Sequence, residues 1–150
     1  MHIGRLLRRP AMIMLEEVHV RLANHGYGDI KPAHGAVFSY IGNGAQITRM
    51  AELAMTTKQN MSYLVDYLEK RGYVEAFEHE GDGRAKMFRL TRKGKNCMAK
   101  TVEIITEISN EWEQKLGKKK MKQLMILLTD LNQELEGGIP LLINPDKPGQ

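Results

Sequence analysis

The chain has 150 residues, 42% of them apolar and 27% charged, with a net charge of +4 and a pI near 9.2. That length holds one domain, or a small one with long appendages, and the composition is that of an ordinary globular protein. A single cysteine, Cys97, excludes an intramolecular disulfide framework and suits a reducing compartment. No apolar run approaches the roughly 18–20 residues that cross a bilayer, and the five apolar residues after Pro10 are too few for a signal-peptide core of about 7–15. The expectation is a soluble, cytoplasmic protein without a membrane span, whose mild basicity permits a nucleic-acid partner without requiring one.

In chain order, residues 11–25 read AMIMLEEVHVRLANH. Ala11, Met14, Val18 and Leu22 recur at helical spacing, with Leu15 widening the stripe. Pro10 suits a first helical position and Gly26 a place just past the last one. A proline there also argues against one unbroken helix from residue 5. A second helix is predicted from Pro32 to about Ile41, closed by Gly42-Asn43-Gly44, with His34, Val37, Phe38 and Ile41 on one face. An imidazole on an apolar face is ordinarily a hydrogen-bonded core residue; the functional reading is a polar group inside a ligand pocket.

Ala45-Gln46-Ile47 reads as a short strand, Thr48 as a cap, and 49–54 as a short helix that turns Met50, Leu53 and Ala54 inward. Met55-Thr56 breaks the chain. Thr56 with Gln59 three residues later matches a capping box and marks the start of a helix over roughly 57–71. Its buried stripe is Met61, Leu64, Val65 and Leu68. The other side carries Gln59, Ser62, Tyr63 and Asp66, with Lys58 and Asn60 flanking them near the N-terminus. Gln and Asn can pair with a base edge, and Lys, Ser and Tyr can reach phosphates. A helix start also directs free amides at an anion ahead of it. The competing reading is a solvated amphipathic helix face.

A hairpin follows: Tyr73–Phe77 as one strand, a polar turn over Glu78–Gly83, and Ala85–Leu90 returning with Phe88 and Leu90 facing one way. Arg84 and Lys86 lie on or beside the tip, where a cation can enter a narrow minor groove. Glu78, Glu80 and Asp82 oppose that, although Asp82 is placed to hold Arg84. Beyond Thr91, read as a cap, a helix reaches Leu116 with Met98, Val102, Ile105, Ile108 (or Ser109) and Trp112 as its stripe. Gly117 interrupts. A last helix carries Met121, Leu124, Leu128, Leu131 and Leu135 and ends at Gly137-Gly138. The tail that follows is more apolar than a free end requires, in Ile139, Leu141, Leu142 and Ile143.

The fold class these elements define is mainly α with a small two- or three-stranded β wing. A winged helix-turn-helix lobe (31–94) is flanked by a helix before it (1–30) and by helices and tail after it (95–150). A winged unit of this size has little core of its own. The amphipathic helices outside it need cover, either from a second copy across a two-fold axis or from the chain's own core. In the first case two winged units face half-sites about 10 base pairs apart.

These residues resemble the MarR-type transcription regulators. The resemblance rests on TRMAELAMTTKQNMSYLVDYLEKRGYV, the wing GDGRAKMFRLT, the helix start LTRKG and the preceding IKPAHGAVF, and it covers roughly residues 5–136. It implies a homodimer that binds pseudo-palindromic operators in double-stranded DNA, usually as a repressor. It also implies release by a small phenolic or other aromatic acid bound between the dimerisation helices and the DNA-binding lobe. By position, the DNA contacts fall to Thr57, Lys58, Gln59, Asn60, Ser62 and Tyr63 on the recognition helix and to Arg84 and Lys86 on the wing. His34 and Phe38 fall on the helix that lines the effector crevice. The wing departs from the family's common D-P-x-D-R-R, lacking the first Asp-Pro and one Arg. Redox-sensing members carry a cysteine in the first helix; here Cys97 stands in the opening turns of the helix after the wing and reads as a packing residue. The five histidines show no metal-ligand spacing, so no metal and no cofactor is expected. No nucleophile elbow, phosphate loop or His-carboxylate set points to an enzyme. The alternative to a regulator is a protein-interaction module that keeps the winged fold without strong DNA binding.

Overall fold

The structure, a computed structural model, describes residues 2–78 and 86–135. They form two compact units, one from residues 2–28 and 100–135, the other from 29–78 and 86–99.

The first unit holds α1 (Ile3–Asn24), most of α5 (Arg92–Leu116) and α6 (Lys118–Glu134). Helix α1 runs unbroken through Pro10, contrary to the start expected at that residue. Pro10 removes one backbone donor and frees the carbonyl a turn before it. Residues 2–13 are all exposed, so water satisfies that carbonyl, and strong helix formers on both sides carry the helix across. Gly26 lies just past the end of α1 as expected; it donates to the Ala23 carbonyl and Tyr27 to the Leu22 carbonyl.

On α1, Val18 and Leu22 are buried, whereas Ala11 and Leu15 are exposed. On α5 the buried residues of this unit are Ile104 and Ile108, while Val102, Ile105, Ser109 and Trp112 are half-buried. Ile108 is buried as expected, whereas the rest of the expected stripe lies one helical row away from the buried one, which runs through Ile104. Both rows are apolar, and periodicity alone does not say which of two adjacent rows meets the chain's own core. Helix α6 buries Met121 and leaves Leu124, Leu131 and Leu135 exposed. An ion-pair cluster links α1 to α5: Arg21 donates two bonds of 2.9 Å to Glu111 and one of 3.0 Å to Glu17, and lies 3.7 Å from Glu107. The Arg21 guanidinium holds the Glu111 carboxyl below its ordinary value.

The second unit opens with a 3-10 turn (Pro32–His34) and α2 (Gly35–Tyr40), so the single helix expected over 32–41 is two pieces. Strand β1 (Ala45–Gln46) leads directly into α3 (Ile47–Leu53). That helix begins two residues earlier than expected, and its cap is Gln46 in extended conformation rather than Thr48. Helix α4 (Lys58–Lys70), β2 (Val74–Glu78) and β3 (Lys86–Leu90) follow. The sheet order is β1-β3-β2, antiparallel throughout, with Ala45 opposite Phe88 and Val74 opposite Leu90. Alternation along the strands puts Val74, Phe88 and Leu90 on the buried face, against the stripe Met61, Leu64, Val65 and Leu68 of α4, which is buried as expected.

Helix α5 then starts at the root of the wing. Thr91 caps it, accepting the Gly94 amide at 3.1 Å and donating to the Gly72 carbonyl at 2.5 Å. Gly94 passes so close to β2 that a Cβ there meets the Tyr73 carbonyl oxygen, which leaves room for no other residue. Cys97 is buried in the second turn of α5.

Candidate nucleic-acid interface

Helices α3 and α4 are joined by a turn that begins with Met55 at φ 50°, the left-handed region. Met55 donates to the Glu52 carbonyl at 3.1 Å and Thr56 to the Ala51 carbonyl at 3.0 Å. This pair of bonds closes a helix end around a left-handed residue. At the end of α4 the same pair of bonds surrounds Gly72 at φ 78°, where glycine takes the conformation without strain. Met55, with its side chain 80% exposed, does not.

The cap of α4 is Thr57, not the Thr56–Gln59 box expected. The Thr57 hydroxyl accepts the Asn60 amide at 3.1 Å, and the Asn60 side chain donates to the Thr56 hydroxyl at 2.9 Å. Both threonines thus hold the helix start, and Asn60 spends one of its donors on it. Thr57, Lys58, Gln59, Asn60 and Tyr63 are exposed and Ser62 half-buried. Among the described residues, the side chains of Lys58, Gln59, Ser62 and Tyr63 make no hydrogen bond or ion pair. Asp66, farther along the same side, is tied to Lys70 at 2.8 Å, so its charge is partly neutralised. The opening two turns of α4 therefore present a polar, cationic surface together with the uncapped amides of a helix start.

In the wing, Lys86 opens β3 directly opposite Glu78, and Glu75 lies opposite Arg89 with an ion pair of 2.9 Å. The acid at 78, which opposed phosphate binding in the sequence, thus has a cation facing it across the strands. Arg84, Glu80 and Asp82 lie outside the described residues, as does the tail after Leu135.

His34 and Phe38 are placed differently from each other. His34 is buried, 4% exposed. Its Nδ1 accepts the Lys31 amide at 2.8 Å and its ring stacks on Tyr67 at 4.3 Å. Phe38 is half-buried and meets Tyr73 edge-on at 6.3 Å. Sequence reasoning missed the hub these two adjoin. Tyr67 and Tyr73 both donate to Asp29, at 2.6 Å each, through its backbone and side-chain oxygens. Arg71 covers Tyr67, and Lys93 lies 4.2 Å from the centre of the Tyr73 ring. Asp29 stands in a loop without periodicity, and no local pattern signals such a contact 38 and 44 residues away. Among the described residues no group of His, Cys, Asp and Glu is placed to hold a metal, and no helix is long and apolar enough to cross a membrane.

A short helix, a tight turn, a second helix with a polar outer side and a two-stranded hairpin define a winged helix-turn-helix protein. Residues 29–85, which run from the start of the second unit through the first strand of the hairpin, match the sequence model of the MarR family. The whole fold agrees. The transcriptional regulator Tm0710 from Thermotoga maritima is 25% identical, with a TM-score of 0.63 over 87% of this chain and 91% of that one. The reduced form of MarR from E. coli shares the fold at 19% identity, with a TM-score of 0.76 over 87% and 96%. So does FabT from Streptococcus pneumoniae, solved in complex with DNA, at 21% identity and a TM-score of 0.76 over 89% and 95%. No curated protein sequence matches the chain with significance.

Proposed function

We propose that this protein is a homodimeric, sequence-specific DNA-binding transcription regulator of the MarR type, acting as a repressor that a small aromatic acid releases. One observation carries the reading: Lys58, Gln59, Ser62 and Tyr63 stand unengaged on the outer side of a helix whose inner side is fully buried. A solvated helix face needs no such set, whereas base edges and phosphates use each of these groups. Thr57 and Asn60 act first as the cap and contact phosphate or base from there. Lys86 and Arg84 serve the wing.

The dimer is supported by apolar surface that one chain leaves bare. Ile3, Leu6, Met12 and Val20 on α1, and Met125, Ile126 and Leu127 on α6, are each at least half exposed. Apolar patches of that extent mark interfaces, and a second copy of the same helices covers them. Of the two effector residues, Phe38 keeps accessible surface for a ligand, and His34 has little. The interaction-module alternative rests on the acidic wing and on the apolar tail, which lies outside the described residues. With Glu75 paired to Arg89 and Glu78 opposite Lys86, the stem of the wing no longer favours it.

The test is selection from random duplex DNA with the purified protein, followed by affinities at several salt concentrations and with a panel of aromatic acids. Gln59→Ala is expected to relax preference at particular bases, by about 1–3 kcal/mol of discrimination. Lys58→Ala is expected to weaken all sequences alike and to reduce the salt slope by about 1. Binding that ignores both sequence and salt would overturn the assignment; a monomer in solution would overturn the dimer, and indifference to every acid the release mechanism.

A further inference from the structure

Among the described residues Met55 alone, apart from glycine, has a positive φ; the five other positions of that kind are Gly26, Gly42, Gly44, Gly72 and Gly117. A left-handed backbone crowds the Cβ of any other residue against a carbonyl oxygen, so the turn itself gains nothing from a side chain. Packing does not account for it either. Met55 is 80% exposed, more than any other large apolar side chain among the described residues, and Tyr63 follows at 68%. An apolar residue at a helix end often packs back onto the helix, and a side chain this exposed does little of that. Backbone strain and solvation both favour glycine or asparagine here, yet the chain carries methionine. Residues held in a costly conformation cluster at functional sites.

We propose that Met55 is a specificity-determining residue of the DNA interface, whose thioether side chain packs on the methyl group of a thymine in the major groove. The inference rests on the regulator reading above and names one feature of the duplex that is read. A recognition helix meets the base edges with its N-terminal residues, and Met55 stands two positions ahead of the Thr57 cap. From residue 55 to residue 62 the accessible side chains are otherwise polar, since Met61 is buried. Polar groups read the donors and acceptors of the bases. The apolar group that the groove displays is the thymine C5-methyl, and it calls for an apolar partner. Methionine suits that task, being unbranched, polarizable and able to fit an irregular surface. The strained turn is then a loss in the free protein that contact with DNA offsets.

The experiment compares the wild type with Met55→Gly and Met55→Gln on the operator selected from random duplexes, at fixed salt. Deoxyuridine replaces thymine at one position of both half-sites at a time, which removes the methyl and leaves the base pairing intact. Covering one methyl corresponds to about a fourfold change in affinity, and two half-sites together to about fifteenfold. At one thymine position the wild type is expected to lose about that much on the uracil duplex, while Met55→Gly changes less than twofold. On the thymine duplex Met55→Gly is expected to bind at least tenfold more weakly than wild type although its urea midpoint is not lower, so the loss is not one of folding. Met55→Gln keeps a side chain on the turn and is expected to be as weak as Met55→Gly and as insensitive to the methyl. That result separates loss of the thioether from extra freedom of a glycine turn. Met55→Gly binding as tightly as wild type, equal uracil effects in both proteins at every position, or a selected half-site without thymine would each overturn the proposal while the regulator reading stands. If the wild type selects no duplex at all, the regulator reading fails and this inference fails with it.

Discussion

Replacing Gly94 by alanine is expected to loosen the root of the wing, and the structure sets the size of the effect. A Cβ at residue 94 lies 2.1 Å from the Tyr73 carbonyl oxygen and 3.1 Å from both the Tyr73 carbonyl carbon and Leu90 Cδ2. Leu90 can rotate away. The Tyr73 carbonyl cannot, because it is backbone and accepts from the Thr91 amide at 3.0 Å and the Thr91 hydroxyl at 3.2 Å. Restoring ordinary contact requires a backbone shift of about 1 Å. Overpacking of this kind costs about 1–3 kcal/mol, and weakening the Thr91 bonds adds about 1. The better helix propensity of alanine offsets less than about 1 kcal/mol near a helix start. The net loss is about 1–4 kcal/mol, or roughly 2–16 °C in Tm for a chain of this length. Thermal and urea unfolding followed by circular dichroism measure it. Gly35→Ala is the internal control: Gly35 is helical, with φ −54°, and nothing lies within 4 Å of its Cβ position, so that variant is expected to be neutral or more stable. A Gly94→Ala protein as stable as the parent would refute the reasoning, since the close approach of α5 to β2 would then be elastic.

Met55→Gly is expected to stabilise the protein by up to about 1 kcal/mol, because relief of the left-handed strain exceeds the extra entropy of an unfolded glycine; a lower urea midpoint would contradict this. Thr57→Ala is expected to cost about 1 kcal/mol as the lost cap of α4, with Thr57→Ser near wild type. Thr56→Ala is expected to cost less, and a larger loss there would restore the Thr56 capping box. For Glu111, the folded-state value is depressed by Arg21, so its stabilisation is present above the unfolded carboxyl value and lost as pH falls through the folded one. Arg21→Gln is therefore expected to melt below wild type at neutral pH, with the gap closing under acid conditions below about pH 4; a gap that is constant with pH would remove the ion pair as its cause.

The elements that shape the candidate interface were legible because each has a local signature. The buried stripe of α4 was readable at period 3.6, and Phe88 and Leu90 share a face because strands alternate. The Thr91 cap and the break at Gly117 follow from what those residues do to a helix end. The failures are local signals that a longer-range term outweighed. Pro10 is a helix breaker only where its freed carbonyl lacks a partner, and exposure supplies water. Thr56 and Thr57 are equally good caps by composition, and the left-handed Met55 sets which one stands at the helix start. On α5 two adjacent apolar rows compete: Ile108 is buried as expected, and only packing separates Ile104 from Val102 and Ile105.

What the sequence by itself determined is the class: two short helices in tandem, a polar outer side on the second, a hairpin with cations near its tip, and more apolar helix outside that unit than it can cover. These are patterns of period two and period three to four, and a chain carries them wherever its parts end up. What only the tertiary structure decided is the state of individual polar groups. Whether Glu78 repels phosphate depends on Lys86 standing across the sheet, which is a matter of register. Whether His34 is free for a ligand depends on Tyr67, 33 positions away, lying flat against it. Asp29 joins Tyr67 and Tyr73 for the same reason. A hydrogen bond or a stack is made within about 4 Å, and only the folded chain brings residues so far apart in sequence within that reach.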